Sequence, residues 1–241
     1  PGRILHEMRF GADASLALGG RNVYYGTADA TPLFVMLLGE LSRWGIDRDQ
    51  VERLLPHVDR ALAWIEHHGD RDGDGFVEYQ RATERGLVNQ GWKDSWDGVN
   101  FADGRIPRGP IALCEVQGYV YNAYLARACL CEDFGDLDGA RRWRERAAGF
   151  KQRFNERFWL PERGYYSMGW GDGGRPSGAL ASRNCSPVST PRASKSSRSP
   201  SSTRSKRPTN SPTSISPRRS PEMAAFSPPA SGGLMNLRIG L

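Results

Sequence analysis

The feature that most limits what this chain can fold into is a break in its composition at Ser182. All seven tryptophans and all eight tyrosines of the 241 residues lie before it. After it, from Arg183 to Leu241, stand nine of the sixteen prolines and fifteen serines. That second stretch holds ten basic residues against one acid, Glu222, a net charge of +9, so the formal +6 of the whole chain leaves −3 for residues 1–182. A run of Ser, Pro, Arg and Thr with almost no apolar side chains cannot offset the entropy of its own ordering. Residues 183–241 are therefore predicted to be a disordered tail, and residues 1–182 to form one domain with one core. The basic balance, which in a whole chain would suggest nucleic acid, belongs to the tail alone.

The longest apolar run, Leu33 to Leu38, is far short of the roughly 20 residues a membrane span needs. No charged-then-apolar signal pattern opens the chain. The four cysteines, Cys114, Cys129, Cys131 and Cys185, show no CxxC and no dense framework, which fits a reducing compartment better than a disulfide scaffold. A soluble, cytoplasmic protein without a membrane partner is expected.

Within residues 1–182 the apolar pattern predicts helices. Asp29 to Trp44 has a polar cap, Pro32 near the first turn and a body apolar almost all round, so a buried helix is expected. Val51, Leu54, Leu55, Val58, Leu62 and Ile65 recur at helical spacing, with Asp47 or Asp49 as cap and His67-His68-Gly69 as stop. Ile111 to Cys131 reads as a third helix, burying Val116, Tyr119, Val120, Ala123 and Ala126. Asp138 to Trp159 reads as a fourth, with Ala140, Trp143, Ala147, Phe150, Phe154 and Phe158 on one face. Leu160 to Tyr166 then reads as a stop, a turn and a short extended piece. Asp70 to Gly109 lacks sustained periodicity apart from a short strand at Val77 to Tyr79. A loop region of that length in a compact domain usually carries function.

That region holds Asn89-Gln90-Gly91-Trp92-Lys93-Asp94-Ser95-Trp96-Asp97-Gly98. Two carboxylates between two indoles suit carbohydrate chemistry: aromatic faces cover the C–H face of a sugar, and a carboxylic acid can protonate a leaving glycosidic oxygen. The competing reading makes Trp92 and Trp96 core residues and the two Asp caps. Upstream, Asp70, Asp72 and Asp74 are spaced like the start of an EF-hand loop with Gly75 at the turn, but position twelve is Arg81 where a bidentate Glu is required. A structural loop is the expectation there, with Glu78 the residue that could help it hold a cation, and no metal site is assigned.

Five motifs occur in order: Pro1-Gly2-Arg3-Ile4-Leu5-His6-Glu7, Tyr24-Tyr25-Gly26-Thr27-Ala28-Asp29-Ala30-Thr31-Pro32-Leu33-Phe34, Asp70-Arg71-Asp72-Gly73-Asp74-Gly75-Phe76-Val77-Glu78-Tyr79, Gly91-Trp92-Lys93-Asp94-Ser95 and Glu115-Val116-Gln117-Gly118-Tyr119. Together, from Pro1 to about Ser182, they resemble the bacterial amylo-alpha-1,6-glucosidase (glycogen debranching enzyme-like) proteins, members of the six-hairpin glycosidases. The resemblance implies an all-α, (α/α)6 toroid whose loops at one end form a sugar pocket, with two carboxylates hydrolysing α-glucosides, usually with inversion, and no cofactor. In related glycosidases the acid lies in a Gly-Trp-Asp-type motif. Aligned without gaps it falls on Lys93, and one residue of slippage puts it on Asp94, which is the expected general acid with Asp97 as the alternative.

The resemblance also implies sugar-binding roles for Trp92 and Trp96. It further implies an aromatic wall at Tyr24 and Tyr25, a hydroxyl-binding carboxylate at Asp29, similar work for Glu115 and Gln117, and a signature role for Arg3 and Glu7. Helix caps and packed aromatics remain the competing assignments. A toroid of twelve helices exceeds the four or five legible before Ser182, at roughly 15–20 residues each with their loops. The base that activates water lies late in the family's sequence, and Glu222 sits in a segment too poor in apolar residues to supply it. The chain, which opens at Pro1, is thus expected to be an incomplete toroid, inactive alone, with residues 183–241 arising from a shifted reading frame. Two other readings stay open: a non-catalytic carbohydrate-binding module and, ranked last, a nucleic-acid-binding protein driven by the basic tail.

Overall fold

Four α-helices form among the described residues, each where the apolar spacing places one. In this computed structural model the described residues are 1–11, 22–81, 83–84, 86–171 and 173–177. Contacts divide the chain into two units, Pro1–Arg192 and Ala193–Leu241, and every described residue belongs to the first. The expectations for 183–241, and Cys185 with them, lie outside the described residues.

Helix α1 (Ala30–Arg43) has Asp29 at its N-cap position and Pro32 in its first turn. Helix α2 (Arg48–Trp64) is capped by Asp47, whose carboxylate accepts the Gln50 backbone N–H at 3.1 Å. It ends in a π turn, Ile65–Gly69. Helix α3 (Cys114–Asp133) and helix α4 (Leu137–Phe158) follow, the latter capped by Asp136 on the Gly139 N–H at 2.8 Å. Helix α1 packs on α2 and α3, and α3 packs on α4. Gly39 makes the α1–α3 approach possible, since a Cβ there would lie 2.7 Å from the Ala126 Cβ.

The core forms along these contacts. Val35 and Leu38 of α1, Val51, Val58 and Leu62 of α2, Val116, Val120 and Ala123 of α3, and Ala147, Phe150 and Phe158 of α4 are all buried. The periodicity of α2, α3 and α4 thus corresponds to the faces that pack. For α1 the expectation needs correcting. Its stripe Leu33, Leu37 and Trp44 is exposed, Trp44 to 77 %, because α2 and α3 cover the opposite side and no described residue covers this one.

The described residues are about half helical, and beside the four helices they form three small antiparallel sheets. Strand β1 (Glu7–Met8) pairs with β2 (Val23–Tyr24). Strand β3 (Ala112–Leu113), directly before α3, pairs with β6 (Gly169–Gly171), which pairs with β7 (Arg175–Pro176). Strands β4 (Trp159–Leu160) and β5 (Tyr165–Tyr166) make the extended hairpin that follows α4. The strand expected at Val77 to Tyr79 reduces to a single bridge between Tyr79 and Ile111. Pairs of two residues leave too little alternation for a sequence pattern to register. Cys114, Cys129 and Cys131 all lie on α3, and none of the three is in a disulfide. No helix among the described residues is long and apolar enough to cross a membrane.

Candidate functional site

Asn89, Gln90 and Gly91 form the foundation on which the tryptophan–aspartate loop stands. Asn89 is fully buried and accepts the Tyr79 hydroxyl at 2.8 Å, while its amide donates to the Ser95 carbonyl at 2.6 Å. A buried amide bonded on both sides pins the loop at its base. The Gln90 carbonyl accepts the Ala28 N–H at 2.8 Å, which draws the segment ahead of α1 against it. Gly91 has room for no side chain, since a Cβ would collide with Leu113 and sit 3.1 Å from a Glu115 oxygen. Above this base Trp92 and Trp96 are 77 % and 67 % exposed, and Asp94 and Asp97 stand in solvent. The competing core assignment for these two indoles is therefore not what the fold adopts.

Glu115, in the first turn of α3, lies beneath the loop. One of its oxygens is buried without a hydrogen-bond partner. Burial pushes its carboxyl above the ordinary carboxylate range, opposed by Lys93 and the Trp92 backbone N–H and reinforced by Asp29. Asp29 occupies the N-cap position of α1 but its side chain makes no capping bond, so its carboxylate is not used up as a cap. Arg3 donates to the Thr27 carbonyl at 2.9 Å and to Gln90 at 3.3 Å, and its guanidinium lies over Trp64. Burial lowers its pKa. Arg3, Asp29, Trp92 and Glu115, scattered over more than a hundred positions, thus meet around Gln90 and Gly91.

Other expected residues go elsewhere. Tyr24 spends its hydroxyl on the Leu87 N–H at 2.8 Å, and Tyr25 is 47 % exposed. Glu7 sits in β1 opposite Tyr24 and pairs with Arg9 at 3.2 Å. Gln117 is fully buried, and both its amide donors are used, on the Val77 and Leu113 carbonyls, while its oxygen accepts the Val77 N–H at 2.9 Å. It ties the loop before it to α3 and has no donor left for a sugar. Asn89 and Gln90 were not singled out from sequence, because an amide next to a glycine carries no mark of what it will bond.

The aspartate loop closes on itself. Oxygens of Asp70, Asp72 and Asp74 lie within 4.8 Å of one another. Asp70 accepts the Gly73 and Gly75 N–H groups, Asp72 that of Asp74, and Asp74 that of Phe76. These are turn contacts, and we assign no ion to them. Glu78, by contrast, is 8 % exposed, and burial, with Asp72 and Asp74 adding to it, pushes its carboxyl up to about 7.

Chemically, the exposed loop offers two stacking faces beside two solvent-facing carboxylates, with a partly buried carboxyl of raised pKa underneath. Compared with protein-family models and with curated proteins, the chain matches none.

Proposed function

We propose that residues 1–182 belong to a glycoside hydrolase acting on α-glucosides, in the manner of the amylo-alpha-1,6-glucosidases they resemble, with Asp94 as general acid and Asp97 as its alternative. One observation carries the reading: Trp92 and Trp96 hold most of their indole surface in water on either side of Asp94, on a loop pinned from below. Leaving two indoles unburied forgoes roughly 1.5–3 kcal/mol each, and a sugar face stacked on them recovers it. Asp29 and Glu115 supply further carboxyl groups at the base of the same loop. The order in which α1 to α4 pack, each against a sequence neighbour or next neighbour, fits successive hairpins of an (α/α)6 toroid. The exposed stripe Leu33, Leu37 and Trp44 fits a surface on which further helices of such a toroid would lie. A cytoplasmic location belongs to the same proposal.

The test is titration of the full chain with maltooligosaccharides by calorimetry, alongside an α-glucoside hydrolysis assay. The reading expects binding that Trp92→Ala weakens at least tenfold, without turnover, since the water-activating base is not assigned to this chain. Turnover abolished by Asp94→Asn would contradict the expected inactivity while supporting Asp94. Absence of binding to any glucan at millimolar concentration would overturn the reading.

A further inference from the structure

A second recess lies between the N-terminal segment, the end of α2 and the loop residues 71–90. It is a cleft of about 360 Å³ whose lining includes Arg3, Trp64, Arg71, Glu78 and Gln90, at the lower end of the size range of small-molecule sites. Arg3 is already fixed in place there. Its Nη2 donates to the Thr27 carbonyl at 2.9 Å and to the Gln90 side-chain oxygen at 3.3 Å, and its guanidinium lies over the Trp64 ring at 5.2 Å. Both acceptors are neutral, and Nη1 makes no hydrogen bond yet is not sealed from solvent as Nε is. Arg71 is exposed in the loop and uses only its backbone N–H, on a Glu78 oxygen at 3.3 Å. Among the described residues neither guanidinium forms an ion pair. The two are nonetheless close enough to oppose each other: the pKa of Arg3 is lowered first by burial and then, against a raising effect of Tyr24, by the charge of Arg71. Like charges gathered in one cleft without a counter-charge repel, and an anion between them relieves the repulsion.

We infer that this cleft binds a small oxyanion, the phosphate or carboxylate group of a low-molecular-weight ligand, bridged between Nη1 of Arg3 and the Arg71 guanidinium with the Gln90 side-chain amide as a further donor. The planar fork of an arginine matches such a group two oxygens at a time. The charges of the lining agree. Arg3 and Arg71 stand against one carboxylate, Glu78, and the Pro1 amino group and His68, which also line the cleft, can only add positive charge. Asp70, Asp72 and Asp74 reach Glu78 with their charges but are not part of the lining. Glu78 is thus the one lining group that opposes an anion, and its carboxyl, pushed up to about 7 chiefly by burial, sheds its charge by taking a proton near neutrality. A neutral ligand would leave the two guanidinium groups repelling each other, and a bare cation would add to the repulsion. The inference goes beyond the hydrolase reading and does not rest on it, since a neutral glucan carries no charge for these groups to hold.

The test is a titration of the full chain, isotopically labelled and at constant ionic strength, with inorganic phosphate and separately with acetate. It is run at about pH 8, where Glu78 is mostly ionised, and read by NMR at the guanidinium carbons of Arg3 and Arg71 and at the side-chain amide of Gln90. The expected result is a saturable shift of all three by at least one of the two anions, the tighter of them naming the group. For that anion the dissociation constant should rise at least tenfold in Arg71→Ala, an exposed side chain, and fall at least threefold in Glu78→Gln, with thermal unfolding confirming that both variants fold. No saturable shift with either anion at tens of millimolar would overturn the site. So would a dissociation constant that Arg71→Ala leaves unchanged, or equal shifts from chloride, which mark screening by any salt. Shifts of the same signals by methyl α-glucoside and by neither anion would overturn the choice of an anion and leave the hydrolase reading standing.

Discussion

Two loops of similar composition, 70–79 and 89–98, meet opposite fates. Each is rich in Asp and Gly and carries aromatic residues. In the first, Phe76, Val77, Glu78 and Tyr79 are all buried, and Phe76 packs edge-on against Phe150 and Phe158 of α4 at 5.6 and 5.2 Å between ring centroids. In the second, the anchor is polar and sits at the base, at Asn89, and both indoles are exposed. An aromatic ring driven into a helix face stabilises the fold. One left in water contributes little to it. That contrast separates a loop held by its aromatic ring from one that leaves its rings in water, and it can be tested.

The largest effect is expected at Phe76. Replacing it with Ala opens a cavity between loop 70–79 and α4 and should cost about 3–5 kcal/mol in denaturant unfolding. A loss below about 1 kcal/mol would break the contrast, since the first loop would then be no better anchored than the second. Next comes Gln117→Ala, which leaves the N–H and carbonyl of buried Val77 without partners and should cost about 2–4 kcal/mol. Hydrogen exchange should then quicken at Val77, Glu78 and Tyr79 while the amides of 92–98 stay as they were.

Glu78 sharpens the comparison through pH. In the folded chain its carboxyl is pushed up to about 7 from an ordinary 4.5, chiefly by burial. The folded state therefore holds the proton more tightly than the unfolded one. The cost of keeping Glu78 ionised is full above pH 7, falls as pH drops from about 7 towards 4.5, and is gone below that. Stability should rise on acidification across this window, by of order 1–3 kcal/mol from this group, and Glu78→Gln should flatten the slope. An unchanged slope in the variant would show that the carboxyl is freely solvated and the loop more open than its contacts imply. The smallest effect on stability is expected at Trp92→Ala and Trp96→Ala, within about 0.5 kcal/mol each. A loss of several kcal/mol would mean that these indoles pack, and the argument for a sugar platform would lose its basis.

The helices were legible because their signal is local. Apolar side chains three and four residues apart on α2, α3 and α4 name both the element and its buried face, while the choice between Asp47 and Asp49 as the cap of α2 was made by the structure, in favour of Asp47. The convergence of Arg3, Asp29, Trp92 and Glu115 was legible only in part. A family resemblance can select those residues, but spacing along the chain cannot say that Gln90 and Gly91 draw them together. Gln117 and Glu78 show the limit more sharply. Both are polar residues in motif-bearing segments, and nothing in their neighbours says that one spends both amide donors on backbone while the other keeps a carboxyl half-bonded in a cleft.

Local periodicity was enough, without coordinates, to place four helices before the compositional break at Ser182, to say which faces of three of them turn inward, and to single out a Trp- and Asp-bearing loop as the most chemical segment. Burial was decided elsewhere. Whether the apolar stripe of α1 is covered, whether an indole is core or surface, and whether a carboxyl keeps its proton all depend on which distant segment lies alongside. Such contacts are formed by groups far apart in sequence, whose desolvation and pairing exist only once the helices have packed.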